Sequence, residues 1–405
     1  MLIAAIIAEY NPFHNGHKYQ IDELRKTLGD DTAIIAIMSG NFTQRGEPAI
    51  VDKLARAECA VNGGVNLVLE LPFPYSMSSA ELFARAGVLI AENLGVVDYL
   101  CFGSECGSIN KLKRIADNAS QPAFCKELNA QLHSKSSSGC GYPVIFERVY
   151  REMYEDEFDA DFFSPNNILA IEYLKSLASL PSRIKPITIK RFGMDYKSEV
   201  ISDRTNQSAT AIRHLIRNND VTAYNYVPYS TKSVLLREHE LKRMPSDPGA
   251  LDRAVIANFR MNPPVAECNI HDATGGLYNR LYAASMETSS ISSLITATET
   301  KKFTRARICR AVWNAFFSVT SSDVKAPPAF TQVLAMDTIG RAVLKRIKKV
   351  SDFPVITKPS AYHKLDATVI RQKELSNRAD SVYELTIEGS KTGYRPLKFS
   401  PFVKE

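Results

Sequence analysis

The sequence predicts an α/β fold in which a parallel sheet with covering helices is followed by a mainly α-helical, basic domain. Short apolar runs alternate with stretches of helical spacing up to about residue 190, as is typical of strand–helix–strand units. From residue 225 onward helical spacing dominates, and Lys and Arg outnumber Asp and Glu by 27 to 17, whereas residues 1–224 hold 23 against 27. A polar, tyrosine-rich stretch near residues 221–232 separates the two parts. We therefore expect one domain over residues 1–224 and another over residues 225–405.

The predicted strands are short and almost entirely apolar, which suits strands that are buried on both faces of a sheet. They cover residues 2–8, 33–38, 66–71, 97–102 and 186–190. Helices are expected between them, and right-handed crossovers through such helices make neighbouring strands parallel. This arrangement is Rossmann-like. Residues 107–163 read as polar helices instead, which indicates an insertion or lid.

The second half contains two basic runs on predicted helices. In residues 302–318, Phe303, Ile308, Val312 and Phe316 suit a core side with Trp313 packed beside them, and the basic residues suit a solvent side. The other run follows the apolar stretch 332–336. Either run alone is well explained as a solvated helix face, but two of them favour a phosphate backbone as partner. Charge alone does not separate RNA from an anionic membrane. The residues concerned are Lys301, Lys302, Arg305, Arg307, Arg310, Arg341, Lys345, Arg346, Lys348 and Lys349.

Composition excludes several classes of protein. The 405 residues are enough to bury a large core, and no apolar window is long enough to span a bilayer. The apolar start lacks a basic leader and runs directly into Glu9, which argues against a signal peptide. The seven cysteines are scattered without metal-binding spacing. We expect reduced thiols in a cytoplasmic protein with no membrane association and no metal site of its own.

The first strand is followed by a turn that contains His14 and His17, three residues apart around Asn15 and Gly16. In a parallel sheet this turn lies at the carboxyl end of a strand, where such folds bind ligands, and the N-terminus of the next helix suits phosphate. Two imidazoles can donate hydrogen bonds to a phosphate and, when protonated, offset the charge that develops as pyrophosphate leaves. A side chain at Gly16 would fill the space in which a purine could lie on the backbone.

The histidine turn can also be explained without a bound nucleotide. Most often, both rings of an isolated H-x-x-H pattern simply cap or pack the turn. A pair of metal ligands is a further possibility, although no nearby Cys or third His completes a site.

A second constellation is formed by Ser208, Thr210 and Arg213 at the start of a predicted helix. Two hydroxyl groups, main-chain N–H groups and an arginine one turn later can form a second phosphate clamp that faces the first. A simple capping pattern is the commoner explanation of Ser and Thr at such a position. Gly103 at the end of a strand and Asn167 in the first turn of a helix are further candidates for nucleotide contacts, with a turn glycine and an ordinary cap as the alternatives.

Several of these motifs resemble those of known protein families. Residues 14–17 match the H-x-G-H signature of the nucleotidyltransferase superfamily, and the longer string EYNPFHNGH at 9–17 resembles the bacterial tRNA(Met) cytidine acetate ligases. Further matching stretches lie at residues 39–42, 44–48, 70–72, 102–105, 165–169 and 208–213.

The resemblance implies a nucleotidyltransferase domain that activates acetate with ATP, releases pyrophosphate and transfers the acetyl group to the wobble cytidine of elongator tRNA(Met), giving N4-acetylcytidine. It implies Mg²⁺ carried with the nucleotide and catalytic roles for His14, His17, Ser208, Thr210 and Arg213. The implied ATP site comprises Ile7, Ala8, Glu9, Tyr10, Asn11, Pro12, Phe13, His14, Asn15, Gly16, His17, Lys18, Tyr19, Gln20, Gly103, Asn167, Arg191 and Phe192. The ten basic residues of the second half would then bind tRNA.

Two different functions are also compatible with the residues. One is a stand-alone adenylyltransferase of a coenzyme precursor, for which the basic half would be only a solvated helical domain. The second is a non-catalytic RNA-binding protein that retains the nucleotide fold.

Overall fold

The computed structural model describes residues 1–133, 142–155, 160–191, 207–265, 268–390, 392–393, 398 and 400–405. The strands within these ranges are β1 (Ile3–Ala8), β2 (Ala33–Ser39), β3 (Leu67–Leu71), β4 (Tyr99–Ser104), β5 (Lys185–Lys190), β6 (Thr331–Met336), β7 (Val355–Ile356) and β8 (Phe402–Val403). The helices are α1 (Asn15–Leu28), α2 (Lys53–Asn62), α3 (Ala80–Asn93), α4 (Ile109–Ala119), α5 (Pro122–His133), α6 (Tyr142–Met153), α7 (Pro165–Ala178), α8 (Ala209–Arg217), α9 (Tyr229–Glu240), α10 (Asp252–Met261), α11 (Leu277–Glu287), α12 (Ile291–Thr298), α13 (Arg305–Phe317), α14 (Ser321–Lys325), α15 (Thr338–Val350) and α16 (Ala367–Tyr383).

The strands form one sheet in the order β5–β4–β1–β2–β3–β6–β7, with β8 beside β6. The first five strands in this order are parallel, which confirms the α/β fold predicted from the apolar runs. Strand β1 is central and buried on both sides, because its alternate side chains point to opposite faces of the sheet. Ile3 and Ile7 belong to the core beneath α3, α7 and α15, and Ile6 belongs to the core beneath α1, α2, α8 and α9.

The insertion between β4 and β5 is helical, as expected. Its helices α4, α5 and α6 add Leu112, Phe124 and Tyr150 to the core on the α3 and α7 side of the sheet. The five strands and the second-half helices that the sequence predicts are present in the structure. Most of their ends are shifted by a few residues from the predicted ends.

The second half is less separate from the first than the sequence indicated. The apolar stretch at 332–336 forms β6, which lies antiparallel to β3 with Met336 opposite Leu67. Both β7 and β8 then pair with β6. The division at residues 224 and 225 stays a prediction, but the sheet is not confined to the first 224 residues.

A separate apolar core joins α10, α11, α12, α13 and α16. Trp313 lies in it, as predicted, and is 2% exposed. Phe42, from the loop after β2, also enters this core and lies 5.2 Å from Trp313 and 5.3 Å from Phe317 between ring centroids. None of the described helices combines the length and the apolar character needed to cross a membrane.

Candidate active site

The histidine turn connects β1 to α1 at the carboxyl end of the central strand. His14 is the N-cap of α1, and its Nδ1 accepts a hydrogen bond from the Gly16 N–H at 3.0 Å. The Nδ1 of His17 accepts one from the His14 N–H at 3.2 Å. The rings stack with their centroids 3.8 Å apart. Because both Nδ1 atoms accept, the proton of each neutral ring lies on Nε2, and this network leaves two Nε2–H donors.

The Nδ1 contacts give the histidine turn a structural role, because they cap the start of the helix. The two Nε2–H groups take no part in this capping network. A Cβ at Gly16 would lie 2.9 Å from Cε1 of His14, and the purine contact expected at Gly16 stays a prediction. Gly16 therefore makes room for the His14 ring.

Burial favours the neutral form of both imidazoles, whereas the sequence also allowed the protonated form. Burial lowers the pKa of His14 to about 3, with further contributions from the positive charges of Arg191 and Arg213. Burial also lowers the pKa of His17, and His14 and Arg191 add to the effect. The rings are therefore hydrogen-bond donors without charge, and the arginines supply the positive potential.

The second constellation lies beside the first. Arg213 on α8 donates from Nη1 to the carbonyl of Asn11 in the turn at 2.9 Å and from Nη2 to Oγ1 of Thr210 at 3.3 Å. Ser208 is the N-cap of α8, and its Oγ accepts from the Ala211 N–H at 3.1 Å. The two predicted corners are therefore adjacent, although residues 11 and 213 are far apart in the chain.

Arg191 and Gly103 form a third side of the site. Arg191 follows β5 and donates its N–H to the carbonyl of Ser104 at 2.9 Å. A Cβ on Gly103 would lie 3.2 Å from Cγ of Arg191, so the arginine stem lies over the glycine. The following residue, Phe192, was predicted to contact ATP and lies outside the described residues.

Asn167 is buried and contacts the loop after β4, and its expected contact with the nucleotide stays a prediction. Its Oδ1 accepts from the N–H groups of Glu105 at 2.9 Å and Cys106 at 3.3 Å. Glu105 in turn accepts from the Asn167 N–H at 3.0 Å. The amide oxygen of Asn167 therefore fixes the loop after β4.

Two further residues organise the site through contacts that no local sequence signal marks. Arg56 on α2 is 0% exposed and donates to the carbonyls of Glu9 at 2.6 Å and Ser39 at 3.1 Å, which ties together the ends of β1 and β2. Glu9 accepts from the Gln44 N–H through Oε1 at 2.8 Å. The sequence assigned Glu9 to the nucleotide site, but its connection to the loop after β2 is apparent only in the structure.

The basic residues of the second half divide into exposed and internal ones. Eight are exposed: Lys301, Lys302, Arg305, Arg341, Lys345, Arg346, Lys348 and Lys349. Arg307 is partly buried and donates to the carbonyls of Asp272 and Thr274, each at 3.0 Å. Arg310 is buried, so its predicted place on the solvent side of α13 is wrong. It is covered by the loop after β2, where it donates to the carbonyl of Gln44, and it pairs with Asp272.

The strand, histidine turn and helix N-terminus at the centre of a parallel sheet define a nucleotidyltransferase fold with an anion-binding site. A model of the HIGH Nucleotidyl Transferase family matches residues 1–395. The crystal structure of Thermotoga maritima TmcAL bound with alpha-thio ATP superposes with a TM-score of 0.89 at 30% identity, covering 100% of this chain and 99% of that protein.

Relatives with a more specific name match over almost their whole length. The tRNA(Met) cytidine acetate ligase of Acetivibrio thermocellus is 34% identical, with 95% of this chain and 94% of the relative covered. The protein of that name from Thermoanaerobacter pseudethanolicus is 36% identical, with 96% of each covered. The chain therefore belongs to the HIGH nucleotidyltransferase family and, within it, to the tRNA(Met) cytidine acetate ligase family.

Proposed function

We propose that this protein uses ATP to activate acetate as acetyl-adenylate and transfers the acetyl group to the wobble cytidine of elongator tRNA(Met), giving N4-acetylcytidine. The observation that carries the proposal is the meeting of the two Nε2–H groups of His14 and His17 with Arg213 at the carboxyl end of β1. This geometry suits a triphosphate, and the family membership given above supplies the substrate class.

Acetate requires activation because a carboxylate oxygen is too poor a leaving group for an amine to displace at neutral pH. In the first step an acetate oxygen attacks the α-phosphorus of ATP. The bond to the oxygen that bridges to the β-phosphorus breaks, and pyrophosphate leaves. In the second step the exocyclic amine of cytidine attacks the acyl carbon, AMP leaves with the acyl C–O electron pair, and the amine nitrogen loses a proton.

The residues of the site suit the first step, in which negative charge moves toward the leaving pyrophosphate. The Nε2–H groups of His14 and His17 donate hydrogen bonds to phosphate oxygens, and the N-terminus of α1 adds its positive end. Arg213 and Arg191 provide charge from two further sides. Phosphoryl transfer of this kind depends on positioning and charge stabilisation rather than on a protein base.

The donor set does not suit a metal ion held by the protein itself. The groups at the turn are N–H donors and guanidinium groups, and no group of three or more His, Cys, Asp or Glu among the described residues is placed to hold a metal. We propose that Mg²⁺ is carried by the triphosphate, and no step above depends on it.

Exposed basic side chains support the proposal for tRNA. On α15, Val343, Leu344 and Ile347 pack against the sheet, while Arg341 and Lys345 face outward with the rest of that run. On α13, Arg305 is also exposed. Positive side chains on outward faces are what phosphate-backbone binding requires, and such binding weakens as salt increases.

The test supplies ATP, labelled acetate and total tRNA and measures label in cytidine. Replacing His17→Asn retains a side-chain acceptor for the His14 N–H but removes the Nε2–H donor. We expect this variant to lose roughly 100-fold in rate, since one donor to transition-state charge contributes on the order of 10² to 10³. Lys26→Ala, on the exposed side of the same helix, is the control and is expected to match wild type.

Two different outcomes would replace the proposal. Pyrophosphate exchange that requires a phosphorylated acceptor and ignores acetate and tRNA would indicate an adenylyltransferase of a coenzyme precursor. Salt-sensitive tRNA binding with no ATP consumption would indicate a non-catalytic RNA-binding protein.

A further inference from the structure

The loop at residues 41–48, which follows β2, lies between the histidine turn and the helices of the second half. It is closed on itself by hydrogen bonds from Thr43 N–H to the Glu47 carbonyl at 3.0 Å and from Gly46 N–H to the Thr43 carbonyl at 2.9 Å. A bridge between Phe42 and Pro48 closes its base. These contacts hold the loop in one closed conformation.

One side of this loop contacts the catalytic turn. Glu9, at the end of β1, accepts the Gln44 N–H at 2.8 Å. Oε2 of Glu47 lies 4.0 Å from Nη2 of Arg213. Just beyond the loop, the Ile50 N–H donates to Oδ1 of Asn11 at 2.8 Å. The position of the loop thus affects the positions of Glu9, Asn11 and Arg213.

The opposite side of the loop contacts α13. Arg310 donates from Nη1 to the carbonyl of Gln44 at 3.4 Å. Gly46 has φ +78°, and a Cβ there would lie 2.4 Å from the backbone nitrogen of Arg310 and 2.7 Å from the carbonyl carbon of Cys309. Backbone therefore lies directly against backbone. A single residue, Gln44, is held by Glu9 at its N–H and by Arg310 at its carbonyl.

The charge of Arg310 is already engaged inside the protein. Its Nε lies 2.6 Å from Oδ2 of Asp272, and the two side chains are 9% and 11% exposed. A phosphate would have to displace this pairing to reach the guanidinium group. Arg305, on the same helix, also pairs with a carboxylate, Glu299 at 3.5 Å, but its side chain is 53% exposed and open to solvent.

We infer that Arg310 is a positioning residue, which holds the 41–48 loop against the catalytic turn and thereby couples the tRNA-facing helix α13 to the adenylation site, and that it does not contact tRNA. This inference rests on the proposed function. It assigns Arg310 a role different from that of the exposed basic residues with which the sequence grouped it.

The test compares Arg310→Gln with wild type in two assays: acetate-dependent ATP–pyrophosphate exchange, without tRNA and at saturating tRNA, and tRNA affinity over a range of salt. We expect exchange to fall roughly 10- to 100-fold, as for a displaced catalytic group. We expect the tRNA Kd to stay within about twofold, with the same salt dependence. Arg305→Ala is the comparison and is expected to weaken tRNA binding and to reduce its salt dependence.

A second variant covers the case in which Arg310→Gln does not fold. Gly46→Ala forces the loop away from α13 but leaves Arg310 and its charge in place, and the same loss of exchange is expected. Arg371→Gln, which breaks the exposed Arg–Asp pair with Asp323, is the matched control and is expected to change neither assay.

Two results would overturn the inference. One is unchanged exchange in Gly46→Ala. The second is an Arg310→Gln protein that exchanges normally but binds tRNA more weakly, with a salt slope reduced by about one. A wild-type protein without acetate-dependent exchange would instead refute the proposed function.

Discussion

At the level of single residues, the two nitrogens of each imidazole have different roles. Nδ1 stabilises the turn, and the proposed function assigns Nε2–H to the ligand. Each Nδ1 accepts a backbone N–H in the turn, which fixes the ring and the tautomer. Each Nε2–H is then available without the ring being charged. A neutral donor costs less to bury in this site than a cation does, because burial among arginines penalises the protonated form.

The lowered pKa of His14 has a consequence for stability. An unfolded His14 titrates near 6.5 and the folded one at about 3, so the unfolded state binds protons more readily as the pH falls. Stability contributed by the neutral ring is complete above pH 6.5 and is lost as the pH falls from there toward the folded pKa. Between pH 7 and pH 5 we expect a loss of about 2 kcal/mol in the free energy of unfolding from this group.

His14→Asn measures that loss, since Asn is a good N-cap and does not titrate. Denaturant unfolding at pH 7, 6 and 5 is expected to show a decline in the variant that is smaller by about 2 kcal/mol. Parallel pH profiles for the two proteins would contradict the lowered pKa.

The sequence predicted where His14 and His17 lie, because a short motif after a buried strand fixes its place in a parallel sheet. The place of Arg213 beside them was expected from the resemblance of residues 208–213. The sequence could not predict the protonation state. That state depends on burial and on Arg191 and Arg213, which reach the turn only through the tertiary fold.

At the level of helices and strands, a buried ion cluster connects α2, β3 and α16. Nζ of Lys53 lies 2.6 Å from Glu70 and also pairs with Asp380, and all three side chains are at most 3% exposed. Asp380 accepts from Asn41 at 2.9 Å as well, at the base of the 41–48 loop. A C-terminal helix thus stabilises the carboxyl ends of the β2 and β3 strands.

We expect Asp380→Ala to lower the free energy of unfolding by about 3 kcal/mol, because it leaves a buried lysine with one carboxylate fewer. Thermal or denaturant unfolding measures the change. The control is Glu388→Gln, which removes the exposed ion pair with Lys242 and is expected to leave the midpoint unchanged. If the Asp380→Ala protein is as stable as the control, the ion cluster makes no net contribution to the free energy of unfolding.

Helices and strands were predicted well where the pattern is local and poorly where it is not. Apolar runs identified the five parallel strands, but nothing near residues 331–336 indicates pairing with β3, more than 260 residues earlier. The two-sided pattern of α13 predicted that one face of this helix is exposed to solvent. The surrounding structure leaves much less of the helix exposed, because Cys309, Arg310 and Asn314 are all buried.

Across the whole molecule, the two halves differ in charge and are joined by shared structure. The acidic-to-neutral first half carries the histidine turn, and the basic second half carries the exposed lysines and arginines. Strand β6 and the contacts of α13 and α16 with the 41–48 loop bind the halves together.

The proposed chemistry requires that the histidine turn and the α8 corner hold one triphosphate. The sharpest test is a double-mutant cycle of His17→Asn and Arg213→Gln, with acetate-dependent ATP–pyrophosphate exchange as the readout. If both groups act on the same triphosphate, the double variant will lose less than the product of the two single losses, by roughly tenfold or more. Losses that multiply to within about twofold would mean that the two corners act independently, and would contradict a shared triphosphate site.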